Sequence, residues 1–230
     1  MTLPPGQHAI DGFPRFGAHL HHPPPPVPAA PAIEIDGAVT EPFALPLSEL
    51  GGLPRREMTA DLHCVAGWSA TDLRWEGVPF ATFFEEVVAP ALAPGAPITH
   101  LVFEGLDGYR STVSIEEALA ADVMLAEHLD GHPLGPDHGA PVRLVSPSQY
   151  GFISTKHLCR IEAHTAEPGQ RYHPLAIMQA GLRLVTPHPR ARVWREERHR
   201  HVPAWALRGV YRLLIPPIRF LSARGSREGR

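Results

Sequence analysis

The run Asp61-Leu62-His63-Cys64-Val65-Ala66-Gly67-Trp68-Ser69 places one thiol at the end of a strand-like stretch and follows it with a turn and a bulky aromatic. The thiolate is the metal-ligating form of cysteine, so Cys64 on such a stem suits a soft metal. The second cysteine, Cys159, stands in no ligand pattern and reads as a small buried apolar residue. Two cysteines outside C-x-x-C or C-x-x-C-H spacings disfavour a disulfide framework, a zinc ribbon and covalently attached haem. A second singular group is a cation. Of 21 basic residues only Lys156, in Ser154-Thr155-Lys156, is a lysine. A chain that otherwise relies on planar guanidinium has placed a compact ammonium at one position. A phosphate contact is one reading of that choice, and chance usage is the other.

Further along stand Trp75-Glu76-Gly77-Val78-Pro79, His138-Gly139-Ala140-Pro141-Val142-Arg143 and Tyr150-Gly151-Phe152-Ile153-Ser154-Thr155-Lys156. In order, C-V-x-G-W-S, W-x-G-V-P, H-G-x-P-x-R and Y-G-x-x-S-x-K resemble the molybdopterin-binding domain of the sulfite oxidase family, over roughly Phe16 to Ile161. The ordered set is far more specific than any single motif. The resemblance implies an α+β, sulfite-oxidase-type fold, with mixed short sheets and peripheral helices around a cofactor cleft. It implies molybdenum-molybdopterin as cofactor and Cys64 as the metal's protein ligand. A buried pterin phosphate demands fixed donors and opposite charge. Arg143 and Lys156, with the hydroxyls and amides of Ser154 and Thr155, correspond to that cradle. His138 corresponds to a pterin contact, since a neutral imidazole both donates and accepts. Asp107 matches another pterin position and could equally cap a turn. Phe16-Gly17-Ala18-His19 is similar, one residue short, to an N-terminal element that drapes over the pterin, which brings in His19. His63 and Trp68, flanking the ligand, and Tyr109 are expected in the pocket wall.

One departure bears on the substrate. In sulfite oxidases an arginine follows the metal cysteine by a few residues, whereas this chain has Trp68-Ser69-Ala70-Thr71-Asp72. An oxyanion pocket needs positive charge to offset desolvation, so a small, weakly charged substrate is expected. The implied activity is that of a molybdopterin-dependent oxidoreductase. It would transfer an oxygen atom and exchange electrons with an external redox partner, which in relatives is a haem protein. Two alternatives stand beside it: a non-catalytic pterin or small-molecule binding module of the same fold, and a histidine-rich zinc protein built on His19, His21 and His22. The last lacks the four ordered ligands of a zinc site.

The elements that must position these residues are short. Residues 1–31 form an extended proline- and histidine-rich lead, with Pro23 to Pro26 consecutive, expected to wrap the domain as polyproline II. The core domain is expected over 32–166, and a basic extension over 167–230. Strands are expected at 32–35, 43–45, 56–65, 98–103, 123–129, 142–145 and 158–163, with a short helix at 47–50. Phe80, Phe83, Phe84 and Val87 share one face of a helix over 80–88, opened by Pro79. Ser114-x-x-Glu117 is a capping box, and Asp130-Gly131 a hairpin turn.

The net charge of −3 gives no reason to expect nucleic acid. From Arg190 onward, however, eleven arginines face three glutamates. The apolar and arginine-interleaved segment 205–221 would pack on its own domain, dock a redox partner or make peripheral membrane contact, with Pro216-Pro217 ending any helix. Met1 to Asp11 has no basic region before an apolar run, and no stretch approaches a spanning helix. A soluble cytoplasmic protein is therefore expected.

Overall fold

The computed structural model describes residues 2–17, 19, 21–169 and 187–228, with side chains as far as 226. In chain order the strands are β1 (His8–Ala9), β2 (Ala32–Gly37), β3 (Phe43–Pro46), β4 (Arg56–His63), β5 (Trp68–Pro79), β6 (His100–Gly105), β7 (Arg110–Ser114), β8 (Met124–Leu129), β9 (His132–Pro133), β10 (Arg143–Val145) and β11 (Leu158–His164). The helices are α1 (Phe80–Phe83), α2 (Ile115–Ala118) and α3 (Ala204–Glu228).

The strands form two sheets. In the six-stranded sheet the path β1-β5-β8-β10 carries β4 on β5 and β9 on β8; the five-stranded sheet runs β3-β2-β11-β6-β7. Side chains of a strand alternate between its faces, and this sorts the apolar residues into two layers. Leu125 and Leu144 turn toward the core between the sheets, with Ile33, Ile35, Val78, Phe80, Phe103 and Ile161. Their neighbours Met124, Ala126 and Val145 turn the other way, with Leu62, Trp68 and Trp75. That outer face of the six-stranded sheet is covered by Ile10, Phe13 and Phe16 from the lead and by Tyr211 and Ile215 of α3. The site lies on this second face.

The expected local signals take recognisable form. After Pro79 the chain enters α1, continues as a π turn over Phe84–Val88 and ends in a 3-10 turn at Ala89–Ala91, burying Phe80 and Phe83. Ser114 caps α2 by accepting from the Glu117 amide at 3.4 Å. Asp130 and Gly131 join β8 to β9 with φ of 52° and 80°, the positive pair that a type I′ hairpin requires. A Cβ at Gly77 would collide with the Leu125 carbonyl at the point where the β5–β8 register shifts, so W-x-G-V-P carries its glycine for close strand pairing. Cys159 is half-buried, its sulfur 3.5 Å from the Glu104 carbonyl.

One expectation fails. Pro216-Pro217 does not end the helix: α3 runs through both prolines to Glu228. Each proline removes one amide donor. The carbonyls left without intrahelical partners belong to Arg212 and Leu213, which lie at exposed positions where water can serve them. Among the described residues no helix is long and apolar enough to cross a membrane. Of the expected C-terminal extension, residues 170–186 lie outside the described part, as does Ala18 of the lead motif.

Candidate cofactor site

Cys64 follows the last residue of β4 and opens the turn into β5. Its amide donates to the Trp68 carbonyl at 2.8 Å, and its carbonyl accepts from the Gly67 amide at 2.9 Å and from Gln7 Nε2 at 3.1 Å. The turn is clamped from the other side by Arg198. This guanidinium is buried, donates to the Val65 carbonyl and, at 3.1 Å, to the Gly6 carbonyl, and lies 5.3 Å from the centre of the Tyr150 ring. Burial pushes the Cys64 thiol up to about 12, against the pull of the Ala66 amide, Arg198 and Lys156. Such a thiol keeps its proton until a metal cation takes the proton's place.

Alternation along β10 sends Arg143 to the same second face. It is 1 % exposed and donates to the carbonyls of His138 at 2.9 Å and Ser154 at 3.1 Å. Its guanidinium carbon lies 5.2 Å from the Trp75 ring centre and 5.9 Å from that of Phe13. Burial lowers its pKa to about 9. Lys156 donates to the Asp137 carbonyl at 2.8 Å. Burial first, then Arg143 and Arg15, bring the Lys156 ammonium down to about 7. Gly139 permits this crowding: its φ is +103°, and a Cβ there would stand 3.0 Å from the Lys156 Cβ and 3.2 Å from the Arg143 Cβ.

The His138 ring stacks on Phe13 with centroids 4.6 Å apart and is held near 4 by burial, Lys156 and Arg143. His19 is held near 3 by burial, Lys156 and Arg15. Arg15 itself is 7 % exposed, with Nε 3.7 Å from Asp137 Oδ1. A cleft of about 350 Å³ opens here between Phe13, Arg15, Asp137, His138, Arg219 and Ser226.

The structure thus gathers His19, His138, Arg143 and Lys156 into one cluster, with Lys156 close enough to act on the Cys64 thiol. Of the other expected residues, Trp68 shares this face and the rest are engaged elsewhere. His63 points away from its neighbour Cys64. Its Nδ1 is 2.7 Å from Ser69 Oγ, burial lowers its pKa, and it lines a separate cleft with Asp61, Asp72 and Trp194. Trp68 is buried on the second face, edge-on to Phe16 at 5.4 Å. The hydroxyl of Ser154 accepts from the Ser146 amide at 3.1 Å, and that of Thr155 lies 2.7 Å from Ser111 Oγ. Both brace the backbone beneath Arg143 and do not reach the cations. Asp107 accepts from the Tyr109 amide at 3.1 Å as a turn cap, while its charge still acts on Lys156. The Tyr109 hydroxyl is engaged by the Phe152 carbonyl at 2.6 Å.

Arg15 and Arg198 were not legible as site residues in the sequence. Arg15 sits between Phe13-Pro14 and Phe16, a setting that invites burial; nothing marks Arg198 within its arginine- and histidine-rich run.

These residues fit a molybdopterin. Arg15 Nη1, His19 Nε2, His138 Nδ1, Trp68 Nε1 and Trp75 Nε1 are buried without a hydrogen-bond partner among the described residues. Native proteins rarely leave so many such atoms together unless a ligand completes them. Arg15 and Lys156 share Asp137 and, more weakly, Asp107 as carboxylates, and no carboxylate acts on the buried Arg143, an excess of positive charge that an acidic phosphate would balance. Arg15, Arg143 and Lys156 would hold the phosphate, His138 and His19 the heterocycle, and Cys64 the metal.

Comparison with known proteins agrees. The oxidoreductase molybdopterin binding domain family matches residues 21–172, and the chain belongs to that family. Its fold is the α+β, sulfite-oxidase type. The sulfane dehydrogenase SoxCD of Paracoccus pantotrophus superposes with a TM-score of 0.53 and 23% identity, over 61% of this chain and 40% of that one. The family's cofactor is molybdenum carried by molybdopterin. An uncharacterized oxidoreductase of Bacillus subtilis, YuiH, is 31% identical over 130 residues, 56% of this chain and 63% of that protein. The catalytic subunit MsrP of a protein-methionine-sulfoxide reductase from Gluconobacter oxydans is 32% identical over 203 residues, 78% of this chain and 62% of that one. The chain therefore spans about three fifths of the length of these relatives.

The cluster predicts how the cofactor-free protein responds to pH. The Lys156 value of about 7 lies below its ordinary 10.5, so between these the unfolded chain binds the extra proton and stability rises with pH. His19 and His138, near 3 and 4 against an ordinary 6.5, make stability fall on acidification below about 6.5. Urea melts across pH check this. Lys156→Met should flatten the alkaline rise and keep the acid limb, whereas an unchanged alkaline rise would assign that slope to another group.

Proposed function

We propose that this chain is a molybdenum-cofactor-dependent oxidoreductase that transfers an oxygen atom to or from a small, weakly charged substrate, with a sulfoxide of the methionine type as the substrate class. The carrying observation is that the Cys64 thiol and the Arg15, Arg143 and Lys156 cations meet on one sheet face, amid buried polar atoms that await a partner. When bound, the cofactor supplies two-electron oxygen-atom transfer chemistry. The residues of the chain fix its position: the β4–β5 turn presents sulfur, the cations anchor the acidic end, and Phe13, Phe16 and Trp68 keep water from the face between. No arginine stands in the nine residues after Cys64, and Arg74 further along β5 lies beside Gly131 of the β8–β9 turn, which favours a neutral substrate over an oxyanion. The name of the Gluconobacter relative supplies the sulfoxide class.

The net reaction consumes a sulfoxide, two electrons and two protons and yields a thioether and water. Electrons come from an external carrier, for which a haem protein is the fitting class. Protein purified from a molybdenum-supplied host should oxidise a reduced viologen dye when given methionine sulfoxide, and should leave sulfite untouched. Molybdenum-loaded protein that turned over neither would point to a pterin-binding module without catalysis.

A further inference from the structure

Beyond the redox site, the outer face of α3 carries a pattern that the packing of the domain does not use. At 100° per residue, Ala204, Ile215, Ser222 and Gly225 form the buried inner side of the helix, with Tyr211 half-buried beside them. On the opposite side Trp205 is 72 % exposed, Leu213 79 % and Phe220 65 %. These three fall within an arc of about 80°, and Arg208, Arg212 and Arg219 within an adjoining arc of about 40°. Arg224 borders the ridge on its far side. From Ala204 to Ser226 the sequence has no aspartate or glutamate. Arg208 is paired with Glu196 at 2.6 Å, while Arg212, Arg219 and Arg224 make no ion pair among the described residues.

We infer that this face of α3 is a peripheral membrane-binding surface that takes anionic phospholipid. Two features select the occupant. An aromatic and aliphatic ridge long enough to sink between headgroups, with tryptophan at one end, is the apolar half of an interfacial helix. Arg212 and Arg224, one on each border and with no acid between Ala204 and Ser226, complement a surface of uniform negative charge; their long stems let the charged heads reach phosphate as the ridge sinks. A protein docking face selects its partner through mixed charges and paired polar groups, and this one has neither. The inner side of the same helix reaches the cofactor cleft through Ser226, which donates to Asp137 at 2.7 Å. Membrane attachment would therefore hold that end of the cleft close to the bilayer. The inference does not depend on the metal.

Co-sedimentation of the full chain with vesicles tests it. Phosphatidylcholine vesicles containing phosphatidylglycerol should bind about tenfold more protein than phosphatidylcholine alone, with release at high salt. Leu213→Asp combined with Phe220→Asp should abolish binding while the melting temperature stays unchanged, since both side chains are solvent-exposed. Arg212→Gln combined with Arg224→Gln should remove most of the preference for the anionic lipid. Absence of binding to phosphatidylglycerol vesicles, equal binding to neutral ones, or full binding by the Leu213/Phe220 variant would overturn the inference. So would binding to native membranes that protease treatment of those membranes destroys, an outcome that would assign the face to a protein.

Discussion

Cys64→Ser should remove turnover and leave the fold standing. The serine oxygen fits where the sulfur sits, and the turn is held by backbone bonds of Cys64 to Trp68, Gly67 and Gln7 that do not involve the side chain. Apoprotein stability should therefore change by about 1 kcal/mol or less. What is lost is the soft anionic donor. Loss of an outer-shell partner to a metal ligand already costs about 10- to 100-fold. Loss of the ligand itself should exceed that, measured as dye-coupled turnover per bound pterin. Turnover within a few-fold of the parent would remove Cys64 from the metal.

The second large effect separates two cations that the sequence presents as a pair. Arg143 is buried, satisfies the His138 and Ser154 carbonyls and stacks over Trp75. Arg143→Met leaves both carbonyls without their donor, at about 1–3 kcal/mol each, so the variant should be destabilised by about 3 kcal/mol even without cofactor. Lys156 is only partly enclosed and makes one bond, to the Asp137 carbonyl. Because burial holds its ammonium well below the ordinary value, Lys156→Met should leave the apoprotein at neutral pH at least as stable as the parent. Both variants should purify with pterin content reduced at least about tenfold, as each removes a charge-assisted contact to a buried anion. Denaturant melts and fluorescence of the released pterin read the two effects apart. A Lys156→Met protein that carried a full complement of pterin would contradict the cradle.

The sequence displayed the chemistry of the site better than its directions. Cys64, His138, Arg143 and Lys156 announce themselves by motif and type, and the fold gathers the last three with His19 around one cleft. Residue type does not say where a hydroxyl turns: Ser154 and Thr155 brace the backbone beneath Arg143 because Ser146 and Ser111 are their nearest partners. Local elements with strong stereochemical signals were legible, among them the Ser114 cap, the Asp130-Gly131 turn and the phenylalanine face after Pro79. β5 was not. Its pairing with β4 slips between Ala60 and Leu62 and its pairing with β8 slips at Gly77, so the two-residue alternation that betrays a strand is broken along its length. Pro216 and Pro217 misled in the opposite sense, because the carbonyls they strand lie where solvent can satisfy them. Arg15 and Arg198 come from opposite ends of the chain and reach the site only through tertiary packing, which no local pattern records.

The proposed bond between Cys64 and molybdenum is tested directly by X-ray absorption at the molybdenum edge, on protein purified from a molybdenum-supplied host. The account predicts molybdenum bound at about one equivalent per chain, with one sulfur neighbour fewer in Cys64→Ser than in the parent. An identical sulfur shell in the two proteins, or a parent that binds zinc and no molybdenum, would contradict it.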